Sequence, residues 1–245
     1  MFLDIWKVFV CVVTTTYVTA KIPSYIQVCG RRDPNLDKCI INSIDNLKDR
    51  ICKGIPELDS PPLVPFIIKQ ITISDTDNAK LYLKDAVITG LCDFDLNFLH
   101  MDIDTLHFNL DLLFKHVHLN GTYDFDIKVL VPFVHKGPVH FIIDKVGAKA
   151  EIDMKLVTRN DKKYVYLSKI NLKLDLRNLS YNFDLNENQS AQLNEIISNF
   201  FGSNEEEFVN RVTPSIETEF SKQILVLANN IVKRFTFDEL FPDRT

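Results

Sequence analysis

Leu106-His-Phe-Asn-Leu-Asp-Leu112, LHFNLDL in one-letter code, alternates apolar and polar side chains without a break. Leu106, Phe108, Leu110 and Leu112 fall on one side, and His107, Asn109 and Asp111 on the other. Successive Cβ atoms of a strand point to opposite faces, so period two predicts a sheet with one dry and one wet face. Working outward, residues 80–176 read as a continuous run of half-buried strand. Its parity changes. Phe94, Leu96 and Phe98 share one side, Met101 and Ile103 take the other, and Leu106–Leu112 returns to the first. A one-residue slip exchanges faces, which predicts bends near Leu99–His100 and Asp104–Thr105 and hence a sheet that curls. Further on, Val117, Leu119, Tyr123, Phe125, Ile127, Val129 and Val131 keep period two up to Pro132. Lys136-Gly137-Pro138 predicts a turn, and Ile142–Leu156 and Tyr164–Leu176 are strands separated by Arg159–Lys162. Before the run, Phe66–Ile73 is a strand, and Asp75–Asn78 turns into Lys80–Thr89.

The C-terminal third is helical. Phe208, Val212, Ile216, Phe220, Ile224, Leu227, Ile231 and Phe235 recur in steps of four or three, one stripe of an amphipathic helix. A helix over Asn204–Phe235 would be ~48 Å long. A compact body of 245 residues is about 44 Å across. The helix therefore spans the molecule, and strand and helix together predict an elongated α+β body with a long apolar interior. Ser203-Asn-Glu-Glu206 has capping-box spacing, Pro214 predicts a bend, and a shorter helix runs from Ser190 to Gly202. Near the other end, Asp33-Pro34 predicts the start of a helix with stripe Leu36, Ile40, Ile44, Leu47 and Ile51, stopped at Gly54. Pro56, Pro61, Pro62 and Pro65 mark an extended lead-in.

Residues 1–20 carry Lys7, an apolar run from Val8 to Val18, and Val18 and Ala20 at the −3 and −1 positions, the pattern of a secretory signal. The run is too short for a convincing membrane anchor, and nothing else approaches the ~20 apolar residues that span a bilayer. The expectation is a secreted, extracellular single domain over residues 21–245 without stable membrane insertion. Without Cys11, four cysteines remain. A Cys29–Cys39 bridge would staple the N-terminus to the first helix, while Cys52 and Cys92 fit a second bridge or two buried thiols equally well. Asn120, Asn178 and Asn188 head N-x-S/T triplets and are candidate glycosylation sites. The net charge of −5 argues against nucleic acid as a partner. Basic residues read as scattered, with no Lys/Arg cluster interleaved with aromatics.

Little in the chain points to reaction chemistry. The pairs Asp93/Asp95, Asp102/Asp104 and Asp124/Asp126 flank or alternate with apolar residues and read as the wet face of the sheet. His116-Val-His118 has a spacing that can hold zinc on a strand, but no third ligand accompanies it. Nucleophile elbows, H-E-x-x-H, C-x-x-C and glycine-rich phosphate loops are absent from the sequence. The expectation is no catalytic residue, no metal and no cofactor.

What remains is apolar: 18 Phe and 7 Tyr, many on dry strand faces. Phe94, Phe98, Phe108, Tyr123, Phe125 and Tyr166, with Phe220 and Leu227 on the helix, are the candidate wall of a ligand tunnel. Tyr123 or Tyr166 would supply a polar anchor.

The order of features resembles the insect takeout and haemolymph juvenile-hormone-binding protein family over nearly all of the chain after residue 20. The pieces are Cys29 and Cys39 around Asp33-Pro34, then Gly54-Ile-Pro-Glu-Leu58 and the prolines ending at Pro65. Gly90-Leu91, Gly121-Thr-Tyr123, Val131-Pro132, Gly137 and Phe241-Pro242 follow. Val64 stands where the family commonly has an acid. The resemblance implies an elongated roll in which a strongly curved antiparallel sheet wraps a long helix, with an internal tunnel for a hydrophobic small molecule or lipid. A terpenoid hormone or a long-chain lipid is the implied ligand, with a cell-surface receptor as a further candidate partner. Circadian, feeding or chemosensory output is the implied setting. A self-filled core without ligand and a hormone esterase are the alternatives.

Overall fold

The computed structural model describes residues 21–128, 132–176, 178–185, 189–195 and 205–245. The candidate signal segment 1–20, Val129 and Val131, the triplet at Asn188, residues 196–202 and the Ser203 end of the capping box lie outside the described residues.

Helix α1 (Leu36–Lys53) precedes seven antiparallel strands: β1 (Phe66–Asp75), β2 (Ala79–Thr89), β3 (Phe94–Asp102), β4 (His107–Ile127), β5 (Phe133–Arg159), β6 (Lys162–Asp175) and β7 (Leu179–Phe183). Helix α2 (Glu205–Val232) and a one-turn helix α3 (Phe237–Leu240) close the chain. The α1 stripe forms as expected and Gly54 ends it with φ 85°. The helix begins two residues late, at Leu36, because the Asp33 carboxylate accepts the Asn35 N–H at 2.7 Å in a local turn.

The spine of the sheet is the β4–β5 hairpin, paired from His107↔Asp153 to Ile127↔Phe133. Its two ends have different neighbours. At one end β3 and β6 flank it, and at the other β2 and then β1 lie on one side with β7 on the other. β5 alone has 27 residues, roughly 90 Å of strand, against roughly 42 Å for α2. A sheet so much longer than the helix it covers must coil. Kinks supply the curvature: Lys145 and Asp85 adopt φ of 58° and 50°, and both β4 and β5 exchange faces beside Lys115 and Lys145. Gly90 is required there, since a Cβ on it would lie 1.9 Å from the His116 carbonyl oxygen.

Helix α2 lies over the seam between the two edge strands of this path. It packs mainly on β6 and reaches β1, where Phe220 stacks on Phe66 at 5.3 Å between ring centres. Its polar side chains also pair with the free edge of β6. Asn229 accepts the Leu167 N–H and donates to the Leu167 carbonyl, both at 2.9 Å. Glu217 accepts the Leu174 N–H at 2.9 Å and pairs with Lys173 at 3.1 Å. Covering an edge strand in this way removes both unpaired backbone groups and an aggregation template. Asn229→Ala should therefore cost about 2–3 kcal/mol, because two backbone groups lose their partners at once. Denaturant titration checks this, with exposed Asn230→Ala as a control expected to move stability by about half a kcal/mol or less.

Three expectations are corrected by the strand pairing. The bend predicted near Leu99 is a bulge two residues earlier, where Leu96↔Leu112 is followed by Phe98↔Asp111. The bend predicted at Asp104–Thr105 is the β3–β4 turn itself. There the Asp102 carboxylate accepts the N–H groups of Thr105 and Asp104, and those bonds, Thr105 first, hold its pKa below the usual carboxylate value. Lys136-Gly137-Pro138 is not a turn, since β5 runs straight through it with Gly137↔Tyr123 and Pro138↔Thr122 paired. Pro138 sits just beyond the β7 ladder, where its carbonyl still accepts the Asp184 N–H at 3.3 Å although the ring has no N–H to return. Gly137 leaves room for the Tyr123 ring, which a Cβ would approach to 3.0 Å.

Candidate ligand-binding chambers

Two apolar chambers lie between the sheet and its helices. The first, of ≈300 Å³, is walled by strand side chains including Leu110, Leu112, Phe114, Ala148 and Ala150, and by Ile216, Phe220 and Ile224 of α2. Every described residue lining it is apolar. The second, of ≈440 Å³, lies under α1 and the N-terminal segment, which supply Ile40, Ile44, Ile22 and Ile26. Phe108, Met154, Val165 and Leu167 come from the sheet, and Ala228, Ile231 and Val232 from α2. Gln27 and Ser43 are its only polar lining residues among those described. Ile152 touches both chambers. A larger cleft of ≈830 Å³ at the start of α2 is lined by Lys173, Asp175, Glu206 and Glu217. Its charges favour water over an apolar molecule.

Burial along β4 sets the chambers apart from solid core. Tyr123, Phe125 and Ile127, which line neither chamber, are buried, and so are Val117 and Leu119, which line the first, whereas Phe108, Leu110, Leu112 and Phe114 are only partly buried although they face inward. A dry strand face in a close-packed core would be sealed by neighbours. Here the missing neighbour is chamber space.

The candidate wall residues divide accordingly. Phe94 and Phe220 line the first chamber and Phe108 the second. The Lys48 ammonium caps Phe94, 4.3 Å from its ring centre. Phe98 and Tyr166 are on the outer surface, 54% and 47% exposed. Each was assigned to the interior from the parity of its neighbours, and in each case a bulge intervenes. In β6, Asp153↔Lys169 is followed by Met154↔Leu167, so Ser168 is the extra residue and Tyr166 turns outward. Tyr123 and Phe125 line neither chamber. They belong to a packed aromatic group with Phe183 and Phe141 at the far end, around a space of only ≈30 Å³. The Tyr123 hydroxyl is 2.5 Å from His135 Nδ1, and His135 Nε2 is 2.9 Å from the Gln189 amide. Burial raises the pKa of this phenol. It is engaged within the protein rather than offered to a ligand. Leu227 also lies off the lining, its place taken by Ala228, one residue further round the helix.

The polar groups that do face a chamber, Gln27 and Ser43, were missed. Ser43 donates to the Gln27 carbonyl at 3.0 Å, and the Gln27 amide donates to Cys39 Sγ at 3.4 Å. The signal available was Ser43 itself, a hydroxyl beside Ile40 and Ile44 in the α1 stripe. Cys29–Cys39 is bridged as expected, and Cys52–Cys92 is bridged as well, tying the end of α1 to the loop after β2. The acidic pairs and His116/His118 face outward. Asp93 binds Lys115 at 2.9 Å, Asp124 binds Lys84 at 2.6 Å and His116 meets Asp144 at 2.7 Å, as a solvated face would arrange them.

The profile of the haemolymph juvenile hormone binding protein (JHBP) family matches residues 8–242. The chain belongs to that family. Epiphyas postvittana Takeout 1 has the same fold, with a TM-score of 0.70 at 13% identity over 88% of this chain and 99% of that one. A lipopolysaccharide binding protein aligns with 78% of this chain at 11% identity, but its TM-score of 0.32 is too low to carry weight. No curated protein sequence matches the chain. In family terms the open curved sheet and the long helix are the common frame. The two chambers, sharing Ile152 between them, are how this chain's side chains occupy it.

Proposed function

We propose that this JHBP-family protein is a secreted carrier that holds a hydrophobic small molecule, of the terpenoid-hormone or long-chain-lipid class, in the chambers either side of Ile152. The observation that carries the reading is the inner face of β4 at Phe108, Leu110, Leu112 and Phe114, apolar side chains that line the chambers and stay only partly buried inside a folded body. Burial of ligand against that surface would contribute roughly 25 cal/mol per Å². With the described lining apolar apart from Gln27 and Ser43, chain length and shape would set selectivity more than hydrogen bonding does. Binding without turnover is the reading, since the described chamber linings hold no nucleophile paired with a base. Residues 1–20 act as the secretory signal, and residues 21–245 as one domain. Among the candidate glycosylation sites, Asn120 and Asn178 are exposed. Juvenile hormone, a cell-surface receptor and a circadian, feeding or chemosensory role stand as finer proposals from the family.

Organic extraction of protein purified from its native fluid, followed by mass spectrometry, tests the reading. The expected result is a near-stoichiometric apolar molecule. Protein that is empty and fails to take up fluorescent fatty-acid or terpenoid probes would leave a self-filled interaction protein. Turnover of ester substrates would overturn the non-enzymatic reading.

A further inference from the structure

The β5–β6 hairpin ends in a finger that stands clear of the body. Its last pair is Arg159↔Lys162, and Asn160 and Asp161 between them adopt φ of 50° and 58°, the two positive values that a tight two-residue hairpin turn needs. Every residue from Lys155 to Lys163 is exposed, so both faces of the finger meet solvent. Leu156 and Val157 are 36% and 41% exposed there, with Tyr166 beside them at 47%. The tip also concentrates positive charge within nine consecutive residues, 155–163. Lys155, Arg159, Lys162 and Lys163 stand against Asp161 alone, four positive and one negative, in a chain of net −5. Among the described residues no ion pair uses any of these four cations. The Arg159 guanidinium instead lies 5.5 Å from the centre of the Tyr164 ring.

An exposed hairpin carrying aliphatic side chains is ordinarily an aggregation liability. Unpaired cations of one sign, interleaved with aliphatic and tyrosine side chains, suit a different surface. At a bilayer interface the apolar groups reach the acyl boundary, the lysine stems snorkel, and the ammonium groups meet lipid phosphates. We propose that the tip of the β5–β6 hairpin docks this protein reversibly on an anionic lipid bilayer, with Leu156, Val157 and Tyr166 entering the interface and Lys155, Arg159, Lys162 and Lys163 binding headgroup phosphates. The root of the finger is built from Met154, Val165 and Leu167, which wall the second chamber, so docking brings that chamber beside the lipid. The inference goes beyond the carrier reading and does not require the chambers to be occupied.

Flotation of the full chain with phosphatidylcholine vesicles, with and without phosphatidylserine, is the test. Binding should require phosphatidylserine and weaken with salt. Lys162→Gln combined with Lys163→Gln should reduce partition roughly tenfold to thirtyfold, with an unchanged unfolding midpoint showing that the fold persists. The sequence has a single tryptophan, Trp6. Emission from a Val157→Trp variant, compared with the parent, therefore reports on the tip and should shift to the blue on phosphatidylserine vesicles. Equal binding to both vesicle types, full binding by the double variant, or unshifted Val157→Trp emission would each overturn the proposal. So would a concentration-dependent dimer in sedimentation that Val157→Asp abolishes, which would assign the tip to a second copy of the chain.

Discussion

Ala148→Phe is expected to reduce the affinity for a fluorescent fatty-acid or terpenoid probe about tenfold or more while leaving the empty protein as stable as the parent, or more so. Ala148 pairs with Leu112 on β4 and Leu174 on β6 and lines only the first chamber, opposite Phe220 and Ile216 of α2. A benzyl group added there enters space that a probe would otherwise use. Displacing as few as two methylenes, at about 0.8 kcal/mol each, amounts to about tenfold in affinity. In a filled core the same ring would have nowhere to go, and overpacking would cost about 1–3 kcal/mol. The two accounts thus differ in the sign of the stability change as well as in binding. Isothermal titration with the probe and urea unfolding of the same preparation decide between them. A clear loss of stability with unchanged affinity would sink the chamber as a ligand site.

Replacing Cys52 and Cys92 together with serine should lower stability by about 4 kcal/mol, more than the about 3 kcal/mol expected for Cys29 and Cys39. The difference follows from loop length: the first bridge closes 40 residues and the second 10. Losing a longer loop constraint returns more entropy to the unfolded chain. The Cys52–Cys92 bridge also anchors the end of α1 beside Leu91, and Ile51 and Leu91 both line the first chamber. Probe affinity should therefore fall with this pair, while the Cys29–Cys39 pair should act mainly on the second chamber through Cys29 and Ile40. Unfolding curves of the two double variants check the order. A Cys52/Cys92 variant as stable as the parent would show that the bridge constrains nothing.

The sequence was most legible where the signal is local. The period of the α1 stripe and its stop at Gly54, the Arg159–Lys162 hairpin and the Asp75–Asn78 turn each depend on a few neighbouring residues, and each appears in the fold. Phe98 and Tyr166 failed for a shared reason. Parity was carried forward across a strand, and a single extra residue, at Asn97 or Ser168, reversed it. No local composition marks those bulges. They are set by the partner strand, β4 in one case and β5 in the other. Gly137-Pro138 failed differently, because a turn signal was overridden by a ladder long enough to run through it and by a Tyr123 ring that needed the glycine.

By itself the sequence determined most of the strand and helix segments, though not the short strand β7 or the passage of β5 through Gly137-Pro138, that one face of each is apolar, and that a long helix would serve a long curved sheet. Period two and period 3.6 are properties of consecutive residues, and burial acts on them whatever the partner. Only the tertiary structure decided which part of the apolar face is sealed and which stays open. Tyr123 and Phe125 are as apolar in pattern as Phe108 and Leu110. The first pair meets Phe183 and Phe141 from strands that reach it, and the second faces a gap that the sheet and α2 leave between them. That gap depends on where β4 and β5 kink, which edge β6 offers to Asn229 and Glu217, and how the Cys52–Cys92 bridge holds α1 over it. Each is a contact between residues tens of positions apart, and no window of sequence contains both partners.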